Sequence, residues 1–282
     1  MSSLAMRLEL ILEQRVKQII PLHGGMIGEV YQATLEKGER IVVKVASSNK
    51  TLDIEGYMLI YLKEHSTLPV PEVLYHAPDL LIMTFIEGQS AFNTAAQEHA
   101  AELLAALHQV TAPNYGLERD TLIGGLHQPN PPTNSWLEFF RDSRLLYMAD
   151  VAYKAGRLPV EFLPRIEKLA SCLPTWLDEP DQPALLHGDV WTTNVLAKNN
   201  CISAFLDPAI YYGHPEIELA FITLFNTFDR PFFERYHEIY PFSPAFWERR
   251  DIYNLYPLLV HVRLFGGGYV ASVDRILRKY GF

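Results

Sequence analysis

Cysteine is almost absent from this chain. Its two cysteines, Cys172 and Cys201, lie far apart and lack the close spacing of metal ligands. A disulfide framework is therefore not expected, and a reducing cytoplasm is the simpler setting. No His-Glu-x-x-His or paired-cysteine pattern points to zinc. No uncharged apolar run reaches the roughly 18 residues that a membrane span needs. The first apolar residues, Leu4, Leu8, Ile11 and Leu12, are interrupted by Arg7, Glu9, Glu13 and Arg15; this is the pattern of an amphipathic helix, not of a signal-peptide core. Repeats and low-complexity tracts are lacking as well. Positive charge is in deficit, with 24 Lys and Arg against 33 Asp and Glu and a net charge of −9. Such a surface disfavours nucleic acid and anionic membrane as partners.

What the 282 residues do hold is a core-forming composition, 49% hydrophobic and 20% charged, which argues against disorder. The chain is longer than a typical domain of about 100–200 residues. Its first 88 residues read as mostly β with one helix. Gln18 to Leu22 fits a strand, and a turn with Gly24, Gly25 and Gly28 follows. Val30 to Leu35 and Arg40 to Val45 form a hairpin around Glu36-Lys37-Gly38-Glu39. Asp53 to Lys63 has helical spacing, with Ile54, Met58 and Leu62 on one face, and Val73 to Tyr75 and Leu80 to Ile86 complete the β-rich part. From a hinge at Gly88 to Ser90 the character turns helical: Ala95 to Val110, a helix opened by a capping box at Ser135 and Glu138, then Pro159 to Leu173, Glu216 to Phe228, Tyr253 to Phe265 and Tyr269 to Tyr280. The expected architecture is α+β, with a β-rich lobe (1–88), a helical lobe (89–282) and a cleft between them.

The chemistry is concentrated in Leu185-Leu186-His187-Gly188-Asp189-Val190-Trp191-Thr192-Thr193-Asn194, followed by Phe205-Leu206-Asp207-Pro208-Ala209. Asp189 and Asn194 have the Asp-x-x-x-x-Asn spacing of a kinase catalytic loop, and Asp207 falls where a metal-binding aspartate would stand. Val195 to Ala197 and Ile202 to Leu206 flank the turn-rich Lys198-Asn199-Asn200-Cys201. A hairpin there brings Asn194 and Asp207 side by side, and their hard oxygens suit magnesium, which keeps phosphate oxygens in its shell. Asp189 then faces a substrate hydroxyl as proton acceptor or orienter. Upstream, Lys44 sits in the apolar strand Ile41-Val42-Val43-Lys44-Val45. A lysine so placed needs an anion, which a nucleotide phosphate and Glu55 on the next helix would supply. Glycines such as Gly24, Gly25 and Gly28 let backbone amides approach a phosphate.

These residues resemble the aminoglycoside phosphotransferase and choline kinase superfamily, and within it the fructosamine kinase (ketosamine-3-kinase) family. The resemblance rests on Leu186-His187-Gly188-Asp189-Val190-Trp191 with Asn194; on Asp207-Pro208-Ala209-Ile210-Tyr211-Tyr212-Gly213; on Gly124-Gly125 leading to Gln128-Pro129-Asn130 and Trp136-Leu137-Glu138-Phe139-Phe140; and on Leu264-Phe265-Gly266-Gly267-Gly268-Tyr269. It implies a protein-kinase-like fold and ATP-dependent phosphorylation of a ketosamine, a fructosamine or ribulosamine carried by a metabolite or a protein lysine, with loss of the amine as a route to deglycation. It further implies that Lys44 and Glu55 are the phosphate-binding pair, that Asp189 is catalytic, that Asn194 and Asp207 hold the metal, and that backbone between Met83 and Glu87, around Phe85, receives adenine. The chain departs from the family in carrying Glu218 where many relatives have Asp, in Arg263, and in lacking a cysteine in the glycine-rich turn.

Three further residues carry two readings each. Trp191 either stacks on a sugar ring or packs beneath the loop. Glu216, with Glu218 and Asp229, either attracts a substrate amine or is solvated or helix-capping. His261, on an apolar helix, is a core or a cleft residue.

Overall fold

The computed structural model describes residues 3–22, 29–47 and 50–282. Chain order begins with α1 (Ser3–Leu12), β1 (Val16–Pro21), β2 (Glu29–Leu35), β3 (Arg40–Val45), α2 (Leu52–His65), β4 (Val73–Ala77) and β5 (Leu80–Thr84). The five strands form one antiparallel sheet in the order β1-β2-β3-β5-β4. Gly38, at φ +92°, closes the β2–β3 turn, a conformation open to glycine at no steric cost.

Side chains alternate across a strand, and that alternation sorts the sheet's two faces. Ile41 and Val43 join Ala33, Leu35, Leu80 and Ile82 in a small core under Leu8 of α1. Lys44, one position on, faces the other way, paired in register with Val30 and Leu81. On that side lies α2, whose buried face is Leu52, Met58, Leu59 and Leu62. Ile54, expected on this face, is only half-buried. Gly56 explains the rotation: a Cβ there would lie 2.6 Å from His76 Cβ on β4, so the helix seats on its glycine.

The rest of the chain is mainly helical: α3 (Thr94–His108), α4 (Trp136–Phe139), α5 (Tyr147–Lys154), α6 (Phe162–Ser171), α7 (Pro215–Leu224), α8 (Arg230–Ile239), α9 (Phe246–Phe265) and α10 (Gly268–Lys279). A π-helical turn, Phe140–Leu146, joins α4 to α5. Six short strands are set among them: β6 (Thr121–Ile123) with β7 (Leu126–Gln128), β8 (Ala184–Leu186) with β11 (Tyr211–Gly213), and β9 (Val195–Lys198) with β10 (Cys201–Phe205). The fold is thus α+β and two-lobed, a five-stranded lobe followed by a helical one. The link between them runs past the β9–β10 hairpin, where Gln89 and Ala197 exchange backbone hydrogen bonds of 2.9 Å each way.

Two further sequence expectations need correction. Ser135 does cap α4, accepting from Glu138 N at 3.2 Å, but the carboxylate that completes the cap is Glu179. It accepts from Trp136 N at 2.6 Å and Leu137 N at 3.2 Å, while Ser135 N is taken by Thr133 Oγ1 at 3.0 Å. Helix α9 begins at Phe246, seven residues before the expected Tyr253, because its charged first turns are stabilised by burial of Arg249 against Glu216.

Candidate active site

Strand β8 delivers the chain to His187-Gly188-Asp189, and its partner β11 lies just after Asp207-Pro208-Ala209, so the two stretches run side by side. Ala209 N donates to His187 O at 2.8 Å. This approach fixes position 188. Gly188 has φ +83°, and a Cβ on it would stand 2.1 Å from Ala209 O, so any side chain would push the two stretches apart. Glu218, in the first turn of α7, holds the loop from behind. Its carboxylate accepts from Gly188 N at 2.5 Å and His187 N at 3.4 Å. His108 Nε2 donates to it at 2.8 Å, and His108 Nδ1 meets Tyr236 OH at 2.6 Å. Burial alone would raise the pKa of Glu218, but His108, His187 and the Gly188 amide together hold it below the usual carboxylate range. The longer glutamate therefore braces the loop.

The hairpin behaves as its turn residues dictate. Asn199 and Asn200 both take positive φ, 51° and 67°, the backbone of a tight hairpin turn. Leu206 N donates to Asn194 O at 2.8 Å, closing the far end. Asn194 Nδ2 donates to Asp189 Oδ2 at 2.9 Å and Asp189 O at 3.1 Å, which leaves its amide oxygen as an acceptor. Asp207 stands at φ +52°, an uncommon conformation for a residue with a side chain.

Lys44 joins the two lobes. Its Nζ donates to Glu55 Oε1 and to Asp207 Oδ1, both at 2.6 Å. Burial would lower its affinity for a proton, but the two carboxylates more than offset this and raise it. Burial, reinforced by the nearby charge of Asp207, pushes Asp189 up to about 8. Lys44, Glu55, Asp189, Asn194 and Asp207 line one cleft with Trp191, Thr193, Gly124 and Gly125. A wider groove of about 1030 Å³ between α8 and the start of α9 contains none of the five.

The remaining candidates fall out differently. Trp191 is half-buried, lines the cleft and touches Phe225 and His261. His261 is half-buried on α9, its Nδ1 on Pro257 O at 2.8 Å. Glu216 does not face the cleft. It is buried in a two-pronged pair with Arg249, both contacts 2.7 Å, so both its oxygens already have a cationic partner. Met83 is buried in the core, and Phe85 lies under the Arg40 guanidinium, 4.3 Å from the ring centre; neither is part of the cleft lining described above. Gly24, Gly25 and Gly28 lie outside the described residues.

A buried polar network beneath Asp207 was not anticipated. Gln128 Nε2 donates to Ala209 O at 3.0 Å and to Thr121 Oγ1 at 2.8 Å, and Thr121 Oγ1 donates to Ile210 O at 3.2 Å. Tyr256 OH donates to Gln128 Oε1 at 2.7 Å. Arg144, fully buried, donates to Asn130 Oδ1 at 2.7 Å and lies over the Tyr211 ring at 3.9 Å. The only signal for this in the sequence was Gln128-Pro129-Asn130.

A lysine–glutamate pair on a five-stranded lobe, facing an aspartate–asparagine–aspartate set at the head of a helical lobe, defines a kinase-like phosphotransferase. Comparison with known proteins agrees. The model of the fructosamine kinase family matches residues 3–281. The chain is 32% identical over 275 residues to a "Probable ketoamine kinase" of Synechocystis sp., covering 94% of this chain and 90% of that one. It is 30% identical over 230 residues to the chloroplastic protein-ribulosamine 3-kinase of Oryza sativa, covering 80% of this chain and 66% of that one. A crystal structure of a provisionally named fructosamine-3-kinase from Thermobifida fusca superposes with a TM-score of 0.87 at 29% identity, covering 98% and 97% of the two chains. An aminoglycoside phosphotransferase solved with AMP-PNP and hygromycin B shares the fold, with a TM-score of 0.69 at 20% identity over 99% of both chains. The chain belongs to the fructosamine kinase family.

Proposed function

We propose that this protein transfers the γ-phosphoryl group of ATP to a sugar hydroxyl of a ketosamine, a fructosamine or ribulosamine, and so initiates deglycation. The observation that carries the reading is the convergence of Lys44, Glu55, Asp189, Asn194 and Asp207 in one cleft, in a chain of this family. Phosphoryl transfer asks the protein chiefly for positioning and charge compensation. Lys44, set by Glu55, takes the nucleotide phosphates. Asp189 orients the acceptor hydroxyl and takes its proton. Backbone near Met83 to Glu87 receives adenine. The amides of Thr84 and Phe85 are already engaged by Glu72 O at 2.9 Å and Arg40 O at 3.2 Å, which leaves Ile86 and Glu87 for the base. The glycines Gly24, Gly25 and Gly28 are assigned to the phosphates by sequence alone.

Magnesium fits the residues present. Among the described residues no group of three His, Cys, Asp or Glu side chains could hold a metal, so a cation here needs phosphate oxygens to complete its shell, as magnesium does. The Asn194 amide oxygen and the Asp207 carboxylate are the hard donors that would hold it. Once bound, it supplies charge neutralisation for the transferring phosphoryl group. The mutual repulsion of Asp189 and Asp207 marks where positive charge is wanted.

We place the lobe boundary at residues 88–89, where a Cβ on Gly88 would meet Ser203 Oγ at 2.7 Å, and the activity in the cytoplasm, in keeping with two free cysteines. Among the described residues no helix is long and apolar enough to cross a membrane. Mass spectrometry after incubation with ATP, magnesium and a mixture of fructosamines, ribulosamines and aminoglycosides tests the reading. A phosphate added to the ketosamines is expected; phosphorylation of the aminoglycosides alone would overturn it.

A further inference from the structure

One group of aromatic side chains begins at the cleft and runs out to solvent. Trp136, Phe139, Phe140 and Tyr253 form a sealed core cluster with at most 1% exposure each. Trp191, Phe225, His261 and Tyr269 are each only half-buried, and Phe265 is 45% exposed. These five nonetheless form a continuous wall. Ring centres are 5.8 Å apart for Trp191 and Phe225, 4.8 Å for Phe225 and His261, 5.6 Å for His261 and Phe265, 4.9 Å for His261 and Tyr269, and 6.0 Å for Phe265 and Tyr269. One end of the wall, Trp191, lines the cleft with Asp189; the other, Phe265, faces solvent.

The backbone is shaped to present it. His261 and Phe265 are four residues apart on α9 and so share a helix face. Gly266 and Gly267, at φ +66° and +60°, allow the sharp turn into α10 that returns Tyr269 against the same two rings. His261 contributes a polar point. Its Nδ1 lies 2.8 Å from Pro257 O, so Nδ1 carries the hydrogen and Nε2 is an acceptor.

A ketosamine has two parts, the sugar that receives the phosphate and the substituent on its nitrogen. With the reacting hydroxyl at Asp189, a substrate that extends along Trp191 carries its nitrogen and substituent onto the wall. Aromatic faces attract an ammonium and bury flat apolar groups. We propose that Trp191, Phe225, His261, Phe265 and Tyr269 form the subsite for the amine substituent, and that it selects ketosamines of amines bearing aromatic or apolar groups over those bearing small polar ones. The inference rests on the ketosamine reading above and specifies which members of that substrate class the site takes.

The test is steady-state kinetics with the fructose adducts of benzylamine and of ethanolamine, on the wild-type chain and on Phe265→Ala, Phe265→Leu and Tyr269→Ala. Phe265→Leu keeps apolar bulk without the ring, and thermal melts of each variant report folding. The wild type is expected to show kcat/KM roughly tenfold higher for the benzylamine adduct. The alanine variants should reduce that ratio at least threefold through KM, with kcat for the ethanolamine adduct within twofold of wild type, and Phe265→Leu should fall between. Equal kcat/KM for both adducts in the wild type, or an unchanged ratio in both alanine variants, overturns the subsite. Turnover of neither adduct, with phosphorylation of another alcohol, overturns the ketosamine reading itself and the subsite with it.

Discussion

Asp189→Asn separates what the proposed catalytic aspartate does for chemistry from what it costs the fold. In the folded chain, burial and the charge of Asp207 push its carboxyl up to about 8, against 3.8 for an ordinary aspartate. The folded state therefore holds the proton more tightly than the unfolded chain does. As pH rises from about 4, the unfolded side chain ionises while the folded one does not, and stability falls. The loss is complete once pH passes about 8. One pH unit of difference is worth about 1.4 kcal/mol, so the full effect is on the order of 5 kcal/mol, and partial access to water from the cleft reduces it to roughly 2–4 kcal/mol. Asparagine is neutral throughout and can still accept from Asn194. Without nucleotide or metal, Asp189→Asn should melt at least about 4 °C above wild type at pH 9, and the gap should close towards pH 4. In the same variant kcat should fall by at least roughly 10²-fold while ATP still binds, the scale of a lost proton acceptor. Calorimetric melts across pH 4–9 give the first readout and single-turnover kinetics the second. A melting difference that does not change with pH, or a wild type more stable than the variant at pH 9, would refute the reasoning about Asp189.

Other expectations concern the supports of the site. Glu218→Gln replaces one acceptor oxygen behind Gly188 with a donor that faces amides. It should lower kcat by about tenfold or more and destabilise the chain by about 1–3 kcal/mol, read by kinetics and denaturant melts. Gln128→Leu strips the hydrogen bond from Ala209 O and leaves Tyr256 OH without its acceptor. A cost of about 1–3 kcal/mol is expected, together with a higher magnesium concentration for half-maximal rate. A variant that only loses stability, with its magnesium requirement unchanged, would show that the network does not position Asp207.

How much of this was legible in the sequence depends on how local the determinants are. Lys44 stood out because a charged residue in an apolar strand is costly without a partner. Asp189, Asn194 and Asp207 could be placed together because one short hairpin brings its own ends together. The sheet strands carried their alternation and turns. Helix α8 is not among the expected helices; its Pro231 sits in the first turn, where the missing N–H costs nothing. Glu216 was misread because its partner Arg249 is 33 residues away, and nothing local distinguishes a buried ion pair from an exposed acid. The Gln128 and Arg144 network depends on contacts up to 128 residues apart, which no local pattern encodes.

The central claim is that side chains from both lobes meet at one nucleotide-bound cation, with Asp207 as its carboxylate ligand. Isothermal titration of ATP into wild type and Asp207→Ala, each with and without magnesium, tests it most directly. Magnesium should tighten ATP binding to the wild type at least about tenfold and leave binding to Asp207→Ala unchanged. Equal magnesium enhancement in both proteins would contradict the account.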